Sequence, residues 1–279
     1  MKISIAVASF NYRRYLESCL SSIAAQTHRD LEVLVADGGS TDGSLELIES
    51  FAASDPRVRL VSRSDVGQAD ALVKCFAQAS GEIACFLNAD DSYLCNDALA
   101  AVVQAFTAYP QIDLVSFGGY YIDEQGRHIK PVRLRYHPLD HPGLMKHRTA
   151  VLQPATFWRR RVMNAIPIAP EFHFVFDVVF FYRAYQQFCW LELTKPVAGY
   201  RLHGDNKSMT VRPARIRELA EFERIKFGPG SLRGRYLDAV AVAAGLLGRV
   251  PAVGDSLQRL LYLAVDSAAF ASVYRLPGI

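Results

Sequence analysis

At 279 residues the chain allows one large domain, or one domain with a substantial appendage, and is long enough to bury a core without disulfide or metal staples. With 51% hydrophobic and 21% charged residues it has a globular composition, and its net charge of +3 makes no electrostatic case for a nucleic-acid partner. Cys19, Cys75, Cys85, Cys95 and Cys189 include no C-x-x-C pair, which argues against a disulfide framework or a zinc ribbon and fits reduced thiols in the cytoplasm.

The predicted elements alternate from the start. Residues 3–8 form a short β-rich apolar run with no charged region before it, a first strand rather than a signal peptide. Residues 15–25 carry Leu16, Cys19, Leu20 and Ile23 at helical spacing, and 31–36 read as a strand. The turn at 38–43 has an N-cap signal and leads into a helix over 44–53. A strand follows over 58–62, a helix over 69–79, a continuously apolar strand over 83–87, a helix over 98–108 and a strand over 114–117. This alternation predicts βαβ units, an α/β fold and a mainly parallel sheet flanked by helices. Such sheets bind ligands beyond the carboxyl ends of their strands. The polar residues placed there are Ser9, Asn11, Asp37, Ser64, Asp65, Asn88, Asp90 and Asp91.

The second half is less regular. Residues 123–126 read as a hairpin turn. Residues 133–148 have no period, and His137, His141 and His147 within them fit no standard metal spacing, so a solvated loop is expected. Arg159, Arg160 and Arg161 read as a solvated helix face, with an anionic acceptor as the rival partner. An aromatic helix is predicted over 172–188, and the chain beyond Lys207 reads helical to its end. There Arg212, Arg215, Arg217 and Arg224 interleave with Glu218, Glu221 and Glu223, as on an exposed helix laced with i,i+4 pairs. Leu257, Leu260, Leu261, Ala264, Val265 and Ala268 form an apolar stripe suited to core packing, to a dimer contact or to peripheral docking at the inner face of a membrane. No stretch reaches the ~18 uninterrupted apolar residues of a membrane span.

Three loops carry candidate chemistry. Residues 86–91 (Phe-Leu-Asn-Ala-Asp-Asp) deliver adjacent carboxylates at a strand end, which suits a divalent cation and equally suits a helix N-cap. Residues 37–43 combine Asp37 and Asp42 with glycines that allow close backbone approach to a ligand, and also make an ordinary turn and cap. In 64–71, Asp65 and Asp70 either hydrogen-bond a base or sugar or cap the next helix.

Taken in order, these segments resemble the family-2 glycosyltransferases of the GT-A fold. The resemblance rests on Ser9-Phe10-Asn11, residues 37–42, 65–71 and 79–83, and Asn88-Ala89-Asp90-Asp91. It continues through residues 153–160 (Gln-Pro-Ala-Thr-Phe-Trp-Arg-Arg), 173–183 and Tyr200-Arg201-Leu202-His203 with Lys207-Ser208. It implies a catalytic domain over 1–210 and a helical extension over 211–279. It implies that Ser9, Asn11 and Asp37 line a nucleotide pocket, and that Asp65, Gln68 and Asp70 hold the nucleoside or donor. Asp90 and Asp91 fall on the metal-binding acids, Asp177 on the general base, and His203 and Lys207 on the segment closing over the diphosphate, His203 as a metal ligand. The implied reaction is inverting transfer of a sugar from a nucleotide donor, a UDP-sugar foremost, to a saccharide or lipid-linked acceptor in polysaccharide or glycan synthesis, with Mn²⁺ or Mg²⁺. Two departures stand out: Asn88 replaces the first acid of the metal motif, and Val179 replaces a second acid after Asp177. They motivate the alternative of a catalytically inactive scaffold. A nucleotidyltransferase would need a glycine-rich phosphate loop after the first strand, and residues 9–14 contain no glycine.

Overall fold

A computed structural model describes residues 1–132, 151–207 and 213–247. Strands β1 (Ile3–Ser9), β2 (Leu31–Asp37), β3 (Val58–Ser62) and β4 (Ile83–Phe86) are parallel, in the order β3-β2-β1-β4. Helices α1 (Arg13–Ala24), α2 (Ser44–Ser54) and α3 (Gln68–Ala77) connect them. β2 and β4 are buried along their whole length, as expected of parallel strands covered on both faces. The buried acid of β2, Glu32, is satisfied from outside the strand. Glu32 accepts from Ser4 Oγ at 2.6 Å, from the Ser80 N–H at 2.6 Å and from Lys2 Nζ at 3.2 Å. Burial works to raise the Glu32 carboxyl, but these donors outweigh it and hold it at about 2.

The second half folds back onto this sheet. It contains β5 (Ser92–Tyr93), α4 (Ala98–Ala108), β6 (Leu114–Ile122), β7 (His128–Val132), a 3-10 turn (Gln153–Ala155), β8 (Thr156–Arg159), α5 (Arg160–Ala165), α6 (Phe176–Gln187), β9 (Trp190–Arg201), α7 (Pro213–Phe227) and α8 (Leu232–Leu247). β8 inserts antiparallel between β4 and β6, β9 runs parallel to β6, and β5 pairs antiparallel with β9. β7 pairs with β6 across the turn expected at 123–126. The two longest ladders, β1 with β2 and β6 with β9, are both parallel. β6 approaches β9 so closely that a Cβ on Gly119 would lie 2.1 Å from the Ala198 carbonyl oxygen and 2.4 Å from Leu152. Trp158 of β8 is fully buried and packs its ring 5.0 Å from Phe180 and 5.8 Å from Phe181, which fastens α6 under the sheet.

Several expectations are corrected. The helix predicted over 172–188 starts only at Phe176. Of the three arginines at 159–161, Arg160 and Arg161 are exposed as expected, whereas Arg159 belongs to β8 and is half-buried. Arg159 donates to the carbonyls of Ile112, Phe106 and Pro110, Arg160 to that of Ala79, and Arg161 pairs with Asp113. α7 is not a simple exposed helix, because Arg215 and Glu223 are buried. His137, His141, His147, Arg212 and the apolar stripe at 257–268 lie outside the described residues. Among the described residues no helix is long and apolar enough to cross a membrane.

Candidate active site

A cavity of about 870 Å³ opens beyond the carboxyl ends of β1 and β4. Its lining includes Ser9, Asn11, Asp65, Gln68, Asp90, Asp177, His203 and Lys207, so the fold gathers eight of the sequence-predicted site residues around one space. Asp37, Asp70 and Asp91 are not part of that lining.

One end is built from the loops after β1, β2 and β3. Asn11 adopts φ 56°, a left-handed conformation that asparagine tolerates. Its N–H donates to Ser40 Oγ at 2.8 Å and its Oδ1 accepts the Thr41 N–H at 2.9 Å, which clips two loops together. Asp37 is fully buried and accepts from the N–H groups of Gly39 and Ser40 and from Ser40 Oγ. Its carboxylate shapes the turn. Asp70 is likewise committed, to the Val66 N–H at 3.1 Å and to Lys74 at 2.8 Å. Asp65 does face the cavity, and burial pushes its carboxyl above the usual range although the Gly67 N–H donates to it at 2.9 Å. Among the described residues Ser9 Oγ is buried without a hydrogen-bond partner, an unmet group of the kind a ligand satisfies.

The centre holds the acidic turn. Asn88 Oδ1 accepts from Gln68 Nε2 at 2.7 Å, while its Nδ2 donates to Gln153 Oε1 at 3.1 Å and Asp91 Oδ2 at 3.3 Å. Asn88 therefore works as a neutral clip using both ends of its amide. Asp91 accepts the Arg201 N–H at 2.9 Å, and burial followed by the Asp90 charge pushes its carboxyl well above the ordinary value. That bond holds Asp91 against β9, outside the cavity lining. Asp90 is the acid in the cavity, with Oδ2 3.0 Å from His203 Nε2 and 3.3 Å from Asn206 Nδ2. His203 is wedged against the Tyr15 and Tyr12 rings at 4.6 and 5.9 Å. Among the described residues no group of three or more His, Cys, Asp or Glu side chains forms a closed metal cage. A hard cation that keeps waters and takes phosphate oxygens from a substrate needs only one or two protein ligands. The buried Asp90–His203 pair fits such an ion.

The other end is formed by α6, α7 and the segment before them. Asp177 sits in the first turn of α6 and lines the cavity, whereas Val179 is fully buried in the core. Asp177 Oδ1 accepts the Val178 N–H at 2.8 Å. Surrounding protein desolvates the carboxyl and pushes it up to about 6, against that hydrogen bond and the nearby charges of Lys207 and Arg215. Lys207 Nζ donates to the His173 carbonyl at 2.5 Å and stands 5.1 Å from the Phe174 ring centre. Sequence reasoning missed the contribution of α7: Arg215, Leu219, Phe222 and Glu223 line the cavity at one-face helical spacing. The signal was hidden because two of the four are charged.

Residues 4–186 match glycosyl transferase family 2, and the chain belongs to that family. An uncharacterised glycosyltransferase of Nostoc sp., alr2836, is 40% identical over 92 residues, 33% of this chain and 29% of that protein. The chain thus spans less than a third of that relative. Staphylococcus aureus TarS 1-349 in complex with UDP-GlcNAc superposes with a TM-score of 0.66 at 18% identity, covering 99% of this chain and 93% of that one. The mannosyltransferase PcManGT of Pyrobaculum calidifontis, in complex with GDP-Man and Mn²⁺, gives a TM-score of 0.61 at 19% identity, covering 98% and 81%. Both share the fold, a GT-A-type curled sheet flanked by helices.

Proposed function

We propose that this member of glycosyl transferase family 2 moves a sugar from a nucleoside diphosphate donor, a UDP-sugar foremost, to a hydroxyl of a saccharide or lipid-linked acceptor, inverting the anomeric carbon. The observation that carries this reading is the convergence of Ser9, Asp65, Asp90, His203 and Asp177 on one cavity, with the Asp177 carboxyl poised at about 6. Ser9 Oγ and Asp65 offer hydrogen bonds to the nucleoside. Asp90 and His203 hold the divalent cation, Mn²⁺ or Mg²⁺, which supplies charge neutralisation for the departing diphosphate. UDP-GlcNAc in TarS, and GDP-Man with Mn²⁺ in PcManGT, support the donor class and the ion.

Asp177 takes the proton of the attacking hydroxyl as general base. The acceptor oxygen bonds to the anomeric carbon while the bond from that carbon to the diphosphate breaks, and the proton ends on the Asp177 carboxylate. With no covalent sugar–enzyme step, this single displacement inverts the centre. A base that titrates near 6 is ionised at neutral pH and still basic enough to help. Asn88 and Val179, which motivate the inactive alternative, have structural reasons of their own: an amide clip and a core position.

The test is turnover of nucleotide sugars by Asp177→Asn. Turnover should fall roughly 10²–10⁴-fold, the usual worth of a general base, while UDP binding stays unchanged. Retained turnover removes Asp177 from this role.

A further inference from the structure

α6 begins without a cap of its own. Its N-cap residue is Val175, whose side chain accepts nothing, and within the first turn Asp177 Oδ1 takes the Val178 N–H. The chain just ahead of the helix is held by a carboxylate from another helix. Glu218 of α7 accepts the His173 N–H on Oε1 at 2.9 Å, and the N–H groups of Phe174 and Val175 on Oε2 at 2.7 and 3.2 Å. Three consecutive backbone donors on one carboxylate fix the strand of chain that enters α6, and the negative charge is favourable at a helix N-terminus. Asp177 is two residues further on. The same segment is gripped from two other sides. Lys207 Nζ donates to the His173 carbonyl. Gly67, in the loop before α3, leaves the His173 ring so little room that a Cβ there would lie 3.0 Å from Nδ1.

We propose that Glu218 is the positioning residue for Asp177, holding residues 173–175 from α7 so that the Asp177 carboxylate keeps its place in the cavity. Glu218 lies beyond the family match at 4–186, so this chain's own helical extension sets the geometry of the reacting end. The proposal rests on the reading of Asp177 as general base. The charged groups that act on Asp177 are Lys207, from the closing segment, and Arg215, from α7.

The experiment titrates Asp177 in the full chain by ¹³C-carboxyl aspartate NMR, with its signal identified by its loss in Asp177→Asn. Glu218→Ala should let the carboxyl relax toward solvent and lower its midpoint by about one unit. Glu218→Gln keeps the length and one acceptor oxygen, which can still take the Phe174 and Val175 N–H groups while its NH2 faces the His173 N–H, so its midpoint should fall between those of the wild type and Glu218→Ala. If the alanine variant does not fold, Glu218→Asp replaces it, because the shorter side chain cannot span the same three donors and should lower the midpoint too. An unchanged midpoint in the folded alanine or aspartate variant overturns the proposal. An equal drop in Glu218→Gln also overturns it, since Glu218 would then act only through its charge. A purely structural role would change melting temperature without moving this titration. Turnover by Asp177→Asn would defeat the base reading but leave the Glu218 result standing.

Discussion

At the scale of single residues, the environment of each carboxyl separates roles that the sequence presents as equivalent. Asp37, Asp70 and Asp91 are spent on backbone N–H groups and a lysine, whereas Asp65, Asp90 and Asp177 face the cavity. Burial raises Asp177 to about 6 from an ordinary 3.8. The active form of a base is the carboxylate, so the rate should climb as pH rises through about 6 and level off above it. A rate–pH profile with no acid limb in that region would contradict this. The stability sign is opposite. The folded state holds this proton more tightly than the unfolded chain does. The group therefore favours folding at low pH, and that contribution is lost as pH rises through 6. Asn88 gives a second residue-scale prediction. Gln153 Nε2 is fixed on the Phe86 carbonyl at 2.6 Å, so its oxygen must face residue 88. Asn88→Asp would set a carboxylate against that oxygen and against Asp91. It should destabilise the protein by roughly 1–3 kcal/mol in urea unfolding and leave Mn²⁺ affinity unimproved. Tighter Mn²⁺ binding would show that position 88 is an available ligand.

At the scale of elements, β1, β2 and β4 were legible because parallel strands covered on both faces are mostly apolar, β3 despite its place at the sheet edge, and the intervening helices because they carry a clear period. β8 and β9 were not. Lys195 and Pro196 interrupt β9, and its register against β6 shifts twice, at Phe117/Gly118 and Gly118/Gly119. Such a strand is specified by its partner, not by its own pattern. The Gly119 contact tests this. Gly119→Ala places a methyl on the Ala198 carbonyl and should cost roughly 1–3 kcal/mol, as overpacking does. Because β9 ends at Arg201, whose N–H holds Asp91, the same change should also weaken nucleotide binding. A thermal melt and a UDP titration on one sample check both effects, and a wild-type result in each would contradict the close approach.

At the scale of the whole molecule, the site lies where the sheet topology places it: loops after parallel strands form one end, and segments from the second half form the other. The resemblance-bearing motifs located the cavity residues from Ser9 to Lys207. The α7 wall escaped because its inward stripe mixes Arg215 and Glu223 with Leu219 and Phe222, and mixed charge on a helix ordinarily signals solvent. The described residues place that helix inside the site, so the segment beyond 210 is part of the working surface. The most direct measurement is a thermal shift with UDP, GDP, dTDP and CMP, each with and without Mn²⁺, on the wild type and on Asp90→Asn. Ligand binding to the native state raises apparent stability. One nucleoside diphosphate should raise the melting temperature in an Mn²⁺-dependent way, and Asp90→Asn should abolish the metal-dependent part. No shift with any nucleotide, or a shift indifferent to Mn²⁺ and to Asp90, would contradict a metal-assisted nucleotide-sugar site.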